Sequence, residues 1–159
     1  MRKVRKLDGT WRGTYHYDLL ENIPFRPSTD FTLVIKQGWF GFFKGSVTDD
    51  TPNGPPDTGS IAGDFSYPRI SFTKKMPIWY VFQPDGTRVT FREFIIGKGY
   101  AGREEFPGPA IIYEGKFSEP HQAEGTWFIN PQFIRLRGNR KVAVNRRTTG
   151  TWNMHFQEG

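Results

Sequence analysis

Lys74 has the most informative setting among the residues able to do chemistry. It shares an alternating face with Ile70 and Phe72, while Ser71, Thr73 and Lys75 share the other. A period of two is that of a half-buried strand. With Ile70 and Phe72 turned into a core, Lys74 stands at the core's mouth. There its ammonium either pairs with the carboxylate of a fatty-acid-like ligand or snorkels to solvent. Tyr15, Tyr17 and Tyr113 would offer hydroxyls on the same inner side. Glu93 shares a face with Val89 and Phe91. Turned inward, it would be a carboxyl of raised pKa suited to acid–base work. The opposite register turns Phe94 in and Glu93 out, and both readings stand.

Other chemistry is thinly supported. The chain has no Cys, which excludes disulfides, thiolate metal sites and Cys nucleophiles. His16, His121 and His155 are scattered and make a poor metal set. His155 alternates with Trp152, Met154 and Phe156, so it falls on the wrong face for an inward haem ligand. Asp49, Asp50 and Asp57 flank the loop DTPNGPPD at 50–57. Their spacing lacks the order of an EF-hand, and Asx turns explain them more simply than calcium. No P-loop, G-x-S-x-G, H-E-x-x-H or dinucleotide fingerprint occurs. The expectation is no cofactor and no metal.

The formal net charge of +6 is local. Arg2, Lys3, Arg5 and Lys6 form a basic N-terminal tail within residues 1–7. Arg135, Arg137, Arg140, Lys141, Arg146 and Arg147 fall in 131–147 with no acid among them. The rest of the chain has 12 bases against 16 acids and is net −4, so these ten cations carry the whole excess. The 135–147 segment is a candidate site for nucleic acid or another polyanion, and a solvated surface is the competing reading. No apolar segment follows the basic tail, so no secretory signal is expected. No run reaches the roughly 20 apolar residues of a helical membrane span. A cytoplasmic location is the expectation.

These residues must be positioned by strands. Period-two alternation covers 9–17, 31–37, 40–49, 59–65, 69–75, 78–82, 87–96, 110–118, 123–130 and 149–156. Pro84, Asp85 and Gly86 mark a hairpin turn, because Pro presets φ and Gly accepts a positive one. Residues 17–23 hold room for one short helix, 97–109 are the longest irregular stretch, and its Gly-rich part 97–102 reads as a loop, a lid over one end. Residues 131–147 form either a long basic loop or a short hairpin across Gly138 and Asn139. Gly 18 and Pro 12 weigh against a helical bundle, and 16% aromatic residues exclude disorder for most of the chain. Residues 1–159 are thus expected to form a single all-β domain. Its architecture is expected to be an antiparallel up-and-down barrel of about eight to ten strands.

One tripeptide, GTW, recurs at 9–11, 125–127 and 150–152. Gly in a strand admits a ring or another backbone, and the Trp fills that space. The first and last copies are expected to be neighbours if the terminal strands close a barrel. This Gly-x-aromatic pattern, with GTY at 13–15, resembles the calycins, the group of lipocalins, fatty-acid-binding proteins and avidins. The resemblance implies a barrel that binds small, often apolar molecules. Trp11, Tyr15, Phe31, Phe43, Phe72, Lys74, Tyr113 and Trp127 would line it, with Lys74 as anion anchor. The leading expectation is a non-enzymatic carrier or sensor of an apolar or amphipathic ligand. A polyanion-binding module is the alternative, and a cyclase- or isomerase-type barrel enzyme using Glu93 is the second. An oligomer is allowed but not required.

Overall fold

Alternation of ring-bearing and polar side chains builds eight long strands, and two small hairpins are inserted between them. The computed structural model describes residues 7–18, 28–50, 57–82, 85, 87–96, 106–136, 140–143 and 147–158. In chain order the first elements are β1 (Gly9–Tyr17), β2 (Ser28–Gln37), a 3-10 turn (Trp39–Gly41), β3 (Phe42–Asp49), β4 (Asp57–Ser66) and β5 (Arg69–Lys75). There follow β6 (Tyr80–Phe82), β7 (Arg88–Thr90) and helix α1 (Phe91–Ile96). The last are β8 (Ile111–Glu119), β9 (Gln122–Ile129), β10 (Phe133–Leu136), β11 (Arg140–Ala143) and β12 (Thr148–Phe156). Strands β1, β12, β9, β8, β5, β4, β3 and β2, in that order, close an antiparallel up-and-down barrel. Strands β6–β7 and β10–β11 are separate two-stranded hairpins.

The barrel has two unlike ends. At the turn end, short links join β2 to β3, β4 to β5 and β8 to β9. At the insert end, the β5–β8 connection carries β6, β7 and α1, and the β9–β12 connection carries β10–β11. An even strand count sends the start of β1 and the start of β12 to opposite ends. Trp11 accordingly pairs with Phe156, and Tyr17 with Gly150.

Inward positions hold the core. Trp11, Phe43, Phe72, Tyr113, Trp127 and Trp152 are almost fully buried. Phe72 stacks on Tyr113 with centroids 4.7 Å apart, and Trp152 meets both edge-on. Leu7, Trp11, Phe117 and Phe156 close the turn end. There the Trp11 indole N–H donates to Leu7 O at 3.0 Å.

The GTW repeats pair differently from the sequence expectation. Strands β1 and β12 are neighbours, but their GTW copies lie at opposite ends of the barrel. The copies that meet are 125–127 and 150–152. Gly125 faces Trp152 and Gly150 faces Trp127. The Trp127 indole donates to His16 O at 3.1 Å and Thr151 O at 3.2 Å. The Trp152 indole donates to Glu114 O at 3.2 Å and Thr126 O at 3.1 Å. The Trp127 ring lies where a side chain on the opposing Gly150 would sit, and the Trp152 ring lies over Gly115 of β8. A Cβ at Gly150 would strike both the Trp127 ring and His16 O.

Residues 87–96 are a further correction. Only Arg88–Thr90 is strand, and Phe91–Ile96 is a helix. Thr90, Phe91, Arg92 and Glu93 form a Ser/Thr-x-x-Glu start signal, and the Glu93 amide donates to Thr90 Oγ1 at 3.1 Å. That local cap overrides the alternation of Val89, Phe91 and Glu93. Strand β6 likewise spans only Tyr80–Phe82 of the expected 78–82. The 131–147 segment contains the hairpin rather than a bare loop. The helix expected in 17–23 is absent at Tyr17, which is in strand β1, and residues 19–23 lie outside the described residues. The expected lid at 97–102 also lies outside them.

Candidate functional site

Beneath the insert end, the barrel's aromatic interior contains a buried ion pair. Lys74 is the last inward residue of β5 and is 1% exposed. Asp49, the last residue of β3, is inward and 4% exposed. The ammonium donates to both carboxylate oxygens at 2.7 Å. It also lies 4.4 Å from the centre of the Tyr15 ring. The Tyr15 hydroxyl donates to Asp49 Oδ2 at 3.2 Å. Lys74 therefore points inward, as one of its two sequence readings had it, and its charge is met by this chain's own carboxylate.

Above the pair lies a cavity of about 70 Å³. Tyr15, Tyr17, Asp49, Ile111 and Ile129 line it from the barrel, and Met76, Trp79, Tyr80, Arg88 and Gly108 from the insert. The insert is held over the mouth by its own small core. Trp79 stacks on Phe91 at 4.2 Å, and Phe106 meets Phe91 edge-on. Backbone bonds run from Trp79 N to Phe106 O and from Gly108 N to Met76 O. Arg88 rests on the Tyr80 ring at 4.2 Å.

Burial keeps three phenols protonated. It is the main cause that pushes the Tyr17 hydroxyl up to about 12, with Asp49 adding to the rise and Arg88 opposing it. Burial also raises Tyr15 and Tyr113 well above the ordinary phenol value, with the Asp49 carboxylate contributing to both. At neutral pH these groups donate and accept hydrogen bonds without carrying charge.

Trp11, Tyr15, Phe31, Phe43, Phe72, Lys74, Tyr113 and Trp127 are all buried. The rings among them pack on one another and on Trp152, and only Tyr15 of the eight borders the cavity. The sequence reading put Asp49 at the end of a strand beside the 50–57 loop, as an Asx-turn or calcium candidate and not as an ion-pair partner. The alternation Phe43, Gly45, Val47, Asp49 was the signal that places it inside. Glu93 is exposed on α1, outside the barrel interior. No group of three or more metal-ligating side chains occurs among the described residues.

Of the basic segment, Arg137 and Arg146 lie outside the described residues. Arg135 is paired in register with Lys141, and Arg140 with Leu136. Arg147 is exposed, its guanidinium 4.6 Å from the Phe128 ring centre. An open groove of about 970 Å³ runs along the outer wall across β4, β5, β8, β9 and β12. It is lined mostly by outward polar residues such as Glu114 and Glu124, and it does not reach the ion pair. Comparison with protein-family models, with curated proteins and with solved structures finds no match.

Proposed function

We propose that this chain is a non-enzymatic binding barrel of calycin type that takes a small polar or amphipathic molecule at its insert end. The observation that carries the reading is the Asp49–Lys74 pair sealed beneath a cavity that the insert covers. Two charges taken out of water cost several kcal/mol each, and apolar side chains of equal volume would hold a barrel at least as well. Their retention below the mouth fits a recognition role. Tyr15 and Tyr17 supply neutral hydroxyls, Asp49 an acceptor and Arg88 a cation around one space.

The cavity has room for a few waters, against the roughly 300–1,000 Å³ of ordinary ligand pockets. A larger ligand enters by displacing the insert residues Met76, Trp79 and Gly108. Native mass spectrometry of freshly purified protein, compared with the denatured mass, tests the proposal. Extra mass that leaves on denaturation, and is lost from an Asp49→Leu/Lys74→Met variant, supports it. A ligand retained by that folded variant removes the ion pair from the binding site.

A second reading, polyanion binding, has one observation in its favour. Arg135 and Lys141 are register partners in the β10–β11 hairpin, which sets two basic positions side by side in sequence register. Binding to single-stranded nucleic acid that weakens steeply with salt is its expected signature.

A further inference from the structure

We infer, resting on the binding site proposed above, that the molecule held at the insert end is neutral and bears a hydroxyl that donates to Asp49. An ionised carboxylate has about four acceptor positions. At Asp49, Lys74 takes one on Oδ1 and one on Oδ2, each at 2.7 Å, and the Tyr15 hydroxyl takes a second on Oδ2 at 3.2 Å. These are its donors among the described residues, so one position on Oδ1 is left. Asp49 borders the cavity, whereas Lys74 does not. An occupant of the cavity therefore meets an acceptor and has to bring a donor.

Charge narrows the kind of donor. A carboxylate ligand brings acceptors alone and would set its charge against Asp49. An ammonium brings donors, but two cations already lie on tyrosine rings of the lining. Lys74 is 4.4 Å from the Tyr15 ring centre, and the Arg88 guanidinium is 4.2 Å from that of Tyr80. In a space of about 70 Å³ an occupant lies close to both. Asp49 and Arg88 are the charged side chains of the lining among the described residues, one of each sign. A neutral occupant leaves that balance undisturbed. Burial keeps the neighbouring Tyr15 and Tyr17 hydroxyls uncharged as well. The lining also includes the aliphatic Met76, Ile78, Ile111 and Ile129, which suit a short branched carbon body beside the hydroxyl.

Saturation-transfer NMR on the full chain tests this with three probes of one branched skeleton: isobutanol, isobutyrate and isobutylammonium. Isobutanol is expected to bind about tenfold more tightly than either ion, on the scale of one hydrogen bond to a charged group. Asp49→Leu/Lys74→Met removes the acceptor and should weaken isobutanol by about tenfold. Ile129→Phe fills the cavity, leaves the ion pair in place and should abolish binding. Unchanged circular dichroism would show that both variants fold. Tighter binding of isobutyrate or isobutylammonium, lost in Ile129→Phe, would overturn the hydroxyl assignment and leave the binding site standing. Isobutanol binding that survives both variants would lie elsewhere on the barrel and overturn it too. Binding of none of the three probes would also overturn it. The insert end would then lose its binding role as well only if native mass spectrometry found no retained ligand.

Discussion

The two ends of the barrel are built on inverse plans. The insert end places charge inside, at Asp49 and Lys74, and covers it with the Trp79–Phe91–Phe106 cluster. The turn end keeps an apolar interior of Leu7, Trp11, Phe117 and Phe156, and carries its aromatic excess outside on Trp39, Phe40 and Phe42. The same alternating strands serve both ends, so strand pattern alone does not decide where polarity goes. The connections do. A long insertion can shelter a buried ion pair, whereas a tight turn leaves its own residues in solvent.

The largest effects should come from breaking each interior. Phe117→Ala at the turn end is expected to cost about 3–5 kcal/mol in urea unfolding through lost packing. Asp49→Ala at the insert end is expected to cost a similar amount, about 3–5 kcal/mol, because the buried Lys74 loses its carboxylate partner. The ends then part company. Adding Lys74→Met to Asp49→Leu should recover most of the loss at the insert end. Failure to recover would mean that the pair stabilises the barrel outright.

A smaller difference should appear in alkali. Tyr17 is near 12 when folded and near 10 when unfolded, so the unfolded chain sheds its proton first. The stability this group contributes is complete below about pH 10 and is lost as pH rises through about 12. Tyr15 and Tyr113 shift in the same direction. Stability should therefore fall above pH 10 by about 1.4 kcal/mol per pH unit for each phenol concerned. Tyrosinate absorbance followed beside denaturant midpoints checks this, and replacing any of the three by Phe should flatten the fall.

The smallest effect belongs to the turn end. Phe40→Gly should leave stability unchanged or raise it by up to about 1 kcal/mol, since relief of the left-handed backbone at Phe40 opposes the entropy of Gly. A marked loss would show that the exposed ring supports the fold. At the exposed pair Arg12–Asp50, 3.9 Å apart, Arg12→Ala should change stability by less than about 0.5 kcal/mol.

Much of the barrel was legible in the sequence because a period of two survives in every wall strand. Lys74 was placed by its neighbours Ile70 and Phe72 for that reason. The end of β3 at Asp49 was legible too, but its pairing with Lys74 was not, because an acid beside Asp50 and a Pro- and Gly-rich loop also reads as an Asx turn. Helix α1 was hidden by the accident that Val89, Phe91 and Glu93 also alternate, while its Thr90–Glu93 cap spoke for helix. Phe40 was read as the first residue of a strand over 40–49, whereas Trp39–Gly41 is a 3-10 turn and the strand starts at Phe42. Apolar residues ordinarily mark buried positions, and sequence carries no sign that these are turned out.

The indole of Trp127 spans the seam where β1 meets β12, bonding His16 on one side and Thr151 on the other. Pairing Trp11 with Phe156 joins nearly opposite ends of the chain, so this seam encloses the longest loop and is expected to shut late. Until it shuts, β1 and β12 are bare edges able to recruit strands from other molecules. Trp127 thus works as a latch, and the time during which the nascent chain is vulnerable to aggregation ends when that ring settles over Gly150.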